Sequence, residues 1–181
     1  MTEKWPVDWE QTFDLVHSRM ALPGVGMTPL EDAIKAMISL VKPGGWIQLV
    51  EMEWDGWDVG PAGATFHDAG RDLFSMVSHG QGVDLREKLV PILKDAGLEK
   101  IHHEIFKVSY GAKASEEIRS LSEASLVATA TSISESTKML PPISVSRENL
   151  DTLPADLAKE NREQGFESVY FSLWAQKPVE T

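Results

Sequence analysis

The chain has 181 residues, 42% hydrophobic and 25% charged, which suits one soluble globular domain spanning residues 1–181 with a core of its own. A net charge of −11 argues against phosphate backbones and anionic membranes as partners, so neither nucleic acid nor membrane binding is expected. With no cysteine, disulfides, cysteine-based zinc sites and thiol nucleophiles are excluded.

No apolar run approaches the roughly 20 residues of a membrane helix, and the opening MTEKWPVDWEQ lacks the apolar stretch of a signal peptide. A cytoplasmic location is therefore expected. Phe13 to Val16 is a short apolar run that reads as a buried strand, followed by the polar cluster His17, Ser18, Arg19. Thr28, Pro29 and Glu31 form the pattern of a helix start. Leu30, Ala33, Ile34, Met37, Ile38 and Val41 then recur at helical spacing. Lys42-Pro43-Gly44-Gly45 should end that helix. Trp46 to Glu51 reads as a second, parallel strand covered on both faces, completing a right-handed βαβ unit.

Further along, helices are expected over Phe66 to Ser78 and Asp84 to Ala96, the second kinked or split by Pro91. Ile101 to Tyr110 reads as a strand. Ser115 to Ala130 reads as a helix with Ile118, Leu121 and Leu126 inward. Met139 to Pro142 is a loop, Ser146 to Arg162 is helical in one or two pieces around Pro154, and Ser168 to Gln176 is a closing apolar strand.

Phe13-Asp14-Leu15-Val16-His17-Ser18-Arg19-Met20 resembles the fourth-strand motif of fungal, secondary-metabolite-type class I methyltransferases, which use S-adenosylmethionine (SAM). Leu40-Val41-Lys42-Pro43-Gly44-Gly45-Trp46 through Glu51 resembles their motif leading into the fifth strand, and Val169 to Pro178 their last strand. The resemblance implies an α/β, partial Rossmann-like methyltransferase fold of about four strands in order 4-5-7-6, the last strand antiparallel, with helices on both faces. It also implies that the glycine turn and acidic residue of the SAM grip are missing, since only 12 residues without glycine precede Phe13. Gly24-Val25-Gly26 follows the fourth-strand motif and is no substitute. No cofactor is expected on that reading.

Truncation would turn the fourth strand into an apolar edge with unpaired backbone groups. A homodimer through Phe13–Val16 is expected, with cover by the Trp5–Trp9 arm or a full-length partner as competing arrangements.

Candidate chemistry gathers at the carboxyl edge of the strands, where open α/β sheets bind ligands. His17 is a candidate acid/base or hydrogen-bond donor, and Arg19 a candidate for binding an enolate or carboxylate. The alternative is that Arg19 pairs with Asp14 or Glu51 and ties loops together. Glu51 and Glu53 alternate onto one face, and mutual repulsion would raise one pKa. Both could equally be solvated loop residues. Trp54 and Trp57 could wall an apolar substrate or simply pack a lid. His67 is the better candidate of the pair His67 and His79, which sit roughly 120° apart around the expected helix. No His/Asp/Glu set has metal-ligand spacing, so no metal is expected.

The function expected is a SAM-independent isomerase or cyclase, pericyclase-like, with His17, Arg19, Glu51 and His67 as catalytic candidates and Glu53, Trp54 and Trp57 as substrate-binding ones. A non-catalytic partner of a complete methyltransferase, or a fragment of a SAM-dependent one, are the alternatives.

Overall fold

The computed structural model describes residues 4–179. Four strands, β1 (Phe13–Arg19), β2 (Val41–Asp58), β3 (Glu99–Tyr110) and β4 (Phe166–Gln176), form one sheet in the order β1-β2-β4-β3. β1 and β2 are parallel. The start of β2 meets the end of β4, with Gly44 N donating to Lys177 O and Lys177 N to Gly45 O, both at 2.9 Å. β4 is therefore antiparallel to β2. It is also antiparallel to β3, since Lys100 bonds Gln176 while Lys107 pairs with Glu167. The sheet order and the antiparallel last strand match the fold expected from the sequence.

The helices are α1 (Leu30–Leu40), α2 (Pro61–Val77), α3 (Leu85–Asp95), α4 (Arg119–Lys138) and α5 (Arg147–Glu163). The chain divides into two compact units, one of residues 1–53, 77–106 and 170–181, the other of residues 54–76 and 107–169. β2, β3 and β4 each contribute residues to both.

In the first unit, α1, α3 and the turn Leu22–Val25 pack on one sheet face. Ile34, Leu89 and Leu93 meet Ile47, Leu49, Phe171 and Leu173, all fully buried. Burial of a side chain of this size stabilises by roughly 1.5–3 kcal/mol. The other face, carrying Trp46, Gln48, Val50, Tyr170, Ser172 and Trp174, is only half-buried. The apolar run Trp46 to Val50 thus alternates between one packed and one open face, instead of being covered on both.

Lys42-Pro43-Gly44-Gly45 is not the helix-ending turn expected. α1 stops at Leu40, and these residues bulge out of β2: Phe13 pairs with Val41 and Leu15 already with Trp46. The bulge requires Gly45, because a Cβ there would lie 2.9 Å from Asp14 O.

The helix start at Thr28 also differs. Pro29 is the N-cap of α1 and provides no side-chain cap. The orphan amide of Leu30 instead donates to Gln81 Oε1 at 2.7 Å, while Gln81 Nε2 reaches Gly26 O and Thr28 O at 3.2 Å. Gln81→Ala should lower stability by about 1–2 kcal/mol in denaturant titrations, as loss of a helix cap does; a change under 0.3 kcal/mol would show water serving equally well.

In the second unit, Leu126, Ala130 and Ile133 of α4 pack against Leu150, Leu153 and Leu157 of α5 and Phe66 of α2. Ile118 and Leu121, expected inward, are 48% and 70% exposed: Ile118 precedes α4, and Leu121 lies off its buried stripe of Ser122, Leu126, Ala130 and Ile133. α5 runs through Pro154 as one helix, capped by Ser146 accepting from Asn149 N at 3.2 Å. Glu160 caps α2 from across the unit, accepting from Ala62 N and Gly63 N at 2.9 and 2.8 Å.

Candidate functional site

β1 is longer than expected and carries His17, Ser18 and Arg19 within it. Alternation sends Ser18 to the packed face, where it is buried, and leaves His17 and Arg19 exposed. His17 Nδ1 donates to Gln48 Oε1 and Gln48 Nε2 to Ser172 Oγ, both at 3.1 Å. A polar row therefore crosses β1, β2 and β4 on the open face. Asp14 pairs with Lys42 at 2.9 Å, so the pairing of Arg19 with Asp14 weighed from the sequence is not the one formed.

Glu51 and Glu53 lie in β2 on the packed face, one residue pair apart, and neither is a solvated loop residue. Glu51 is fully buried. Its Oε1 accepts from the amides of Ala21 and Leu22, each at 3.1 Å, so it holds the turn that follows β1. Its Oε2 is buried without a hydrogen-bond partner. Burial pushes the Glu51 carboxyl up to about 7, partly offset by the two backbone amides. The cause is desolvation and not, as expected, repulsion from Glu53. Glu53 is engaged by Arg86, whose Nε donates to its Oε2 at 2.6 Å.

The remaining candidates belong to the second unit. Trp54 and Trp57 stack at 5.7 Å, and His67 stands edge-on to both, at 5.4 and 4.9 Å. Phe74 closes on Trp54, and Phe66 and Phe166 on Trp57. Trp54 is only 6% exposed, so it is packing. His67 Nε2 lies 2.8 Å from Trp54 O and Nδ1 2.8 Å from Asp68 Oδ1. Both partners are acceptors, and a neutral ring can donate to only one of them.

The structure thus separates His17 and Arg19, on the open face of the first unit, from Glu51 and Glu53, on its packed face, and groups Trp54, Trp57 and His67 within the second. Gln48, Ser172 and Arg86 were not singled out from the sequence. The period-two pattern of β2 and β4 places Gln48 and Ser172 on one face, while nothing local marks Arg86. Among the described residues no group of three or more His, Asp or Glu could hold a metal ion, and no helix is long and apolar enough to cross a membrane.

No family model matches the chain. Methyltransferase psoC of Aspergillus fumigatus is 30% identical over 179 residues, covering 97% of this chain and 64% of that protein. The chain is methyltransferase-like. N-methyltransferase gliN of the same organism is 22% identical over 187 residues, covering 98% of this chain and 65% of that protein. This methyltransferase-like chain therefore spans just under two thirds of the length of both relatives. Among solved structures, a phosphoethanolamine N-methyltransferase 2 of Haemonchus contortus holding S-adenosylhomocysteine is similar at a TM-score of 0.45 and 14% identity, over 93% of this chain and 34% of that one.

These findings correct the expectation that no cofactor is used. The relatives aligned along almost the whole chain are methyltransferases by name, and such enzymes need a methyl donor. They point to SAM.

Proposed function

We propose that this methyltransferase-like chain supplies the acceptor side of a SAM-dependent N-methyltransferase acting on a small molecule. The observation that carries this reading is the alignment of 97% and 98% of the chain with proteins named methyltransferase and N-methyltransferase. Because the chain spans only part of each, the whole activity is an inference about a larger assembly. The isomerase or cyclase reading would use the same strand ends, but the relatives' names favour methyl transfer over it.

The described residues do not by themselves make a complete grip for SAM. The two carboxylates at this strand end are already committed, Glu51 to backbone amides and Glu53 to Arg86. Neither is offered to a ribose. What this chain's own residues offer is at the end of β1. Arg19 presents an exposed cation for a carboxylate or an acceptor carbonyl. His17, fixed by Gln48, can take or give a proton at the ring nitrogen that Gln48 does not hold. Glu51 acts at one remove: it positions the turn after β1 and does not reach the surface. His67, Trp54 and Trp57 shape their own unit.

The test is calorimetry with S-adenosylhomocysteine, on the chain alone and with the psoC segment outside the aligned region, followed by transfer of labelled methyl from SAM to a panel of small amines and amides. Binding, and label on nitrogen lowered at least tenfold by Arg19→Ala and by His17→Ala, are expected. Absence of binding in both preparations, or label on carbon or oxygen, would overturn the reading.

A further inference from the structure

β3 ends the sheet on the side opposite β1 and pairs with β4 alone, so its outer edge presents a row of backbone donors and acceptors. Natural sheets blunt such edges by keeping them short, by proline, by charge or by covering them. β3 runs over 12 residues, Glu99–Tyr110, without proline or glycine. Every residue from His102 to Phe106 is exposed, whichever way it points, so neither face is covered along this stretch. Ile105 and Phe106 are 52% and 40% exposed. The charges present, Lys100 and Glu104, are of opposite sign.

The order of residues along this edge says what fits it. Lys100 has a left-handed φ of 48°, which interrupts the extended backbone, so regular strand runs from Ile101 onward. Alternation puts Ile101, His103 and Ile105 on the face where Ile101 packs against the core. His102, Glu104 and Phe106 share the other face, where His102 lies over Trp174 and Phe106 stacks on Tyr170. Ile101-His102-His103-Glu104-Ile105 is self-complementary about His103, with isoleucine at both ends and an imidazole and a carboxylate between. Opposite residues of an antiparallel pair share a face. A two-fold axis through His103 therefore sets Ile101 against the partner's Ile105 on one face and His102 against the partner's Glu104 on the other. His103 meets its own copy. Moving the axis to His102 sets Ile101 against the partner's His103, and moving it to Glu104 sets two carboxylates together.

We propose that the β3 edge is a homodimer interface, in which two copies of this chain pair antiparallel about His103 and continue the sheet from one protomer into the other. Such an interface is isologous, each chain offering the same residues to its copy. Charge favours this edge for self-association. The whole chain carries −11, but Lys100 and Glu104 are the only Lys, Arg, Asp or Glu from 100 to 106, and they cancel. Two copies thus meet at a stretch that holds none of the excess negative charge. A ladder of this length makes a small, reversible interface. The proposal stands apart from the methyl-transfer reading, since it uses neither β1 nor the strand ends that bear Arg19 and Glu51.

Light scattering over a dilution series from the millimolar to the low micromolar range should show a monomer–dimer equilibrium. Ile105→Lys, a change at an exposed side chain, should weaken the dimer at least tenfold and leave the melting temperature of the diluted chain unmoved. Introduced cysteines read the register. The chain has no cysteine of its own, so a single one can form a disulfide only between copies. Opposite residues of an antiparallel pair have Cα atoms about 4.5 or 5.5 Å apart, within the span of a disulfide. His103→Cys should therefore cross-link under mild oxidation at least tenfold faster than His102→Cys, whose copy sits two positions along the partner strand. A chain that stays monomeric throughout the series overturns the proposal and leaves the edge to water or to an unlike strand. So does a dimer that Ile105→Lys leaves intact, since its interface then lies on another surface. Cross-linking of His102→Cys as fast as that of His103→Cys, or faster, overturns the pairing about His103.

Discussion

Between pH 4 and pH 8 the folded chain should lose on the order of 3 kcal/mol of stability through Glu51 alone, and Glu51→Gln should abolish that share of the loss. Glu51 is fully buried and its carboxyl is raised from an ordinary 4.5 to about 7. Below pH 4.5 both folded and unfolded chains hold the proton, and the group costs nothing. From pH 4.5 to about 7 the unfolded chain releases the proton while the folded chain keeps it, so unfolding gains ground. Above pH 7 both are ionised and the full penalty persists. Glutamine keeps an acceptor for the Ala21 and Leu22 amides and has no charge to bury. Urea midpoints of both proteins at pH 4, 5, 6, 7 and 8 measure this. The variant should match the parent at pH 4 and exceed it by about 3 kcal/mol at pH 8. Parallel curves would mean that Glu51 ionises freely in the folded chain.

Gly111→Ala should cost several kcal/mol, whereas Gly80→Ala should cost only about 1–2 kcal/mol, although both glycines have left-handed backbone. Their φ angles are 56° and 80°. The difference lies in the space around them. A Cβ at Gly80 meets nothing within 4 Å. At Gly111 it would overlap the backbone oxygen and the side chain of Asn161. Asn161 is 1% exposed on α5 and cannot swing into solvent. Thermal or denaturant unfolding of the two variants side by side separates conformational strain from collision; equal losses would mean that α5 yields at Asn161.

The fold was legible where period and punctuation agree. The βαβ start, the helix stripe from Leu30 to Ile38 and the last strand all followed from local pattern, and the resemblance supplied the strand order. Errors came where tertiary partners replace local ones. Thr28 and Glu31 carry the pattern of a cap, yet Gln81, 51 residues beyond Leu30, satisfies the amide, and Glu31 pairs with Lys35 at 2.5 Å. Nothing near Gln81 in sequence announces that role. Leu121 stands about 140° around the helix from Leu126, so the two cannot share one inward stripe, which runs through Ser122 instead. At the site, the period of two already told that Glu51 and Glu53 share a face. It did not tell which face is packed, and that decides whether they meet ligand or core. Trp54 and Trp57 were readable as an aromatic pair, but not as one packed edge-on by His67 within its own unit.

The bulge Lys42–Gly45 sets the phase of everything after it in β2. One residue of β1, Asp14, stands opposite four residues of β2, and strict alternation begins at Gly45. Loss or gain of a single residue directly after Gly45 inverts the parity of the strand beyond it. Ile47, Leu49 and Glu51 would then turn outward and Trp46, Gln48 and Val50 inward. A change of length within the bulge itself can be absorbed where the pairing is already out of step. This short irregular stretch is thus where drift in chain length can be taken up before it reaches the strand end that bears Glu51.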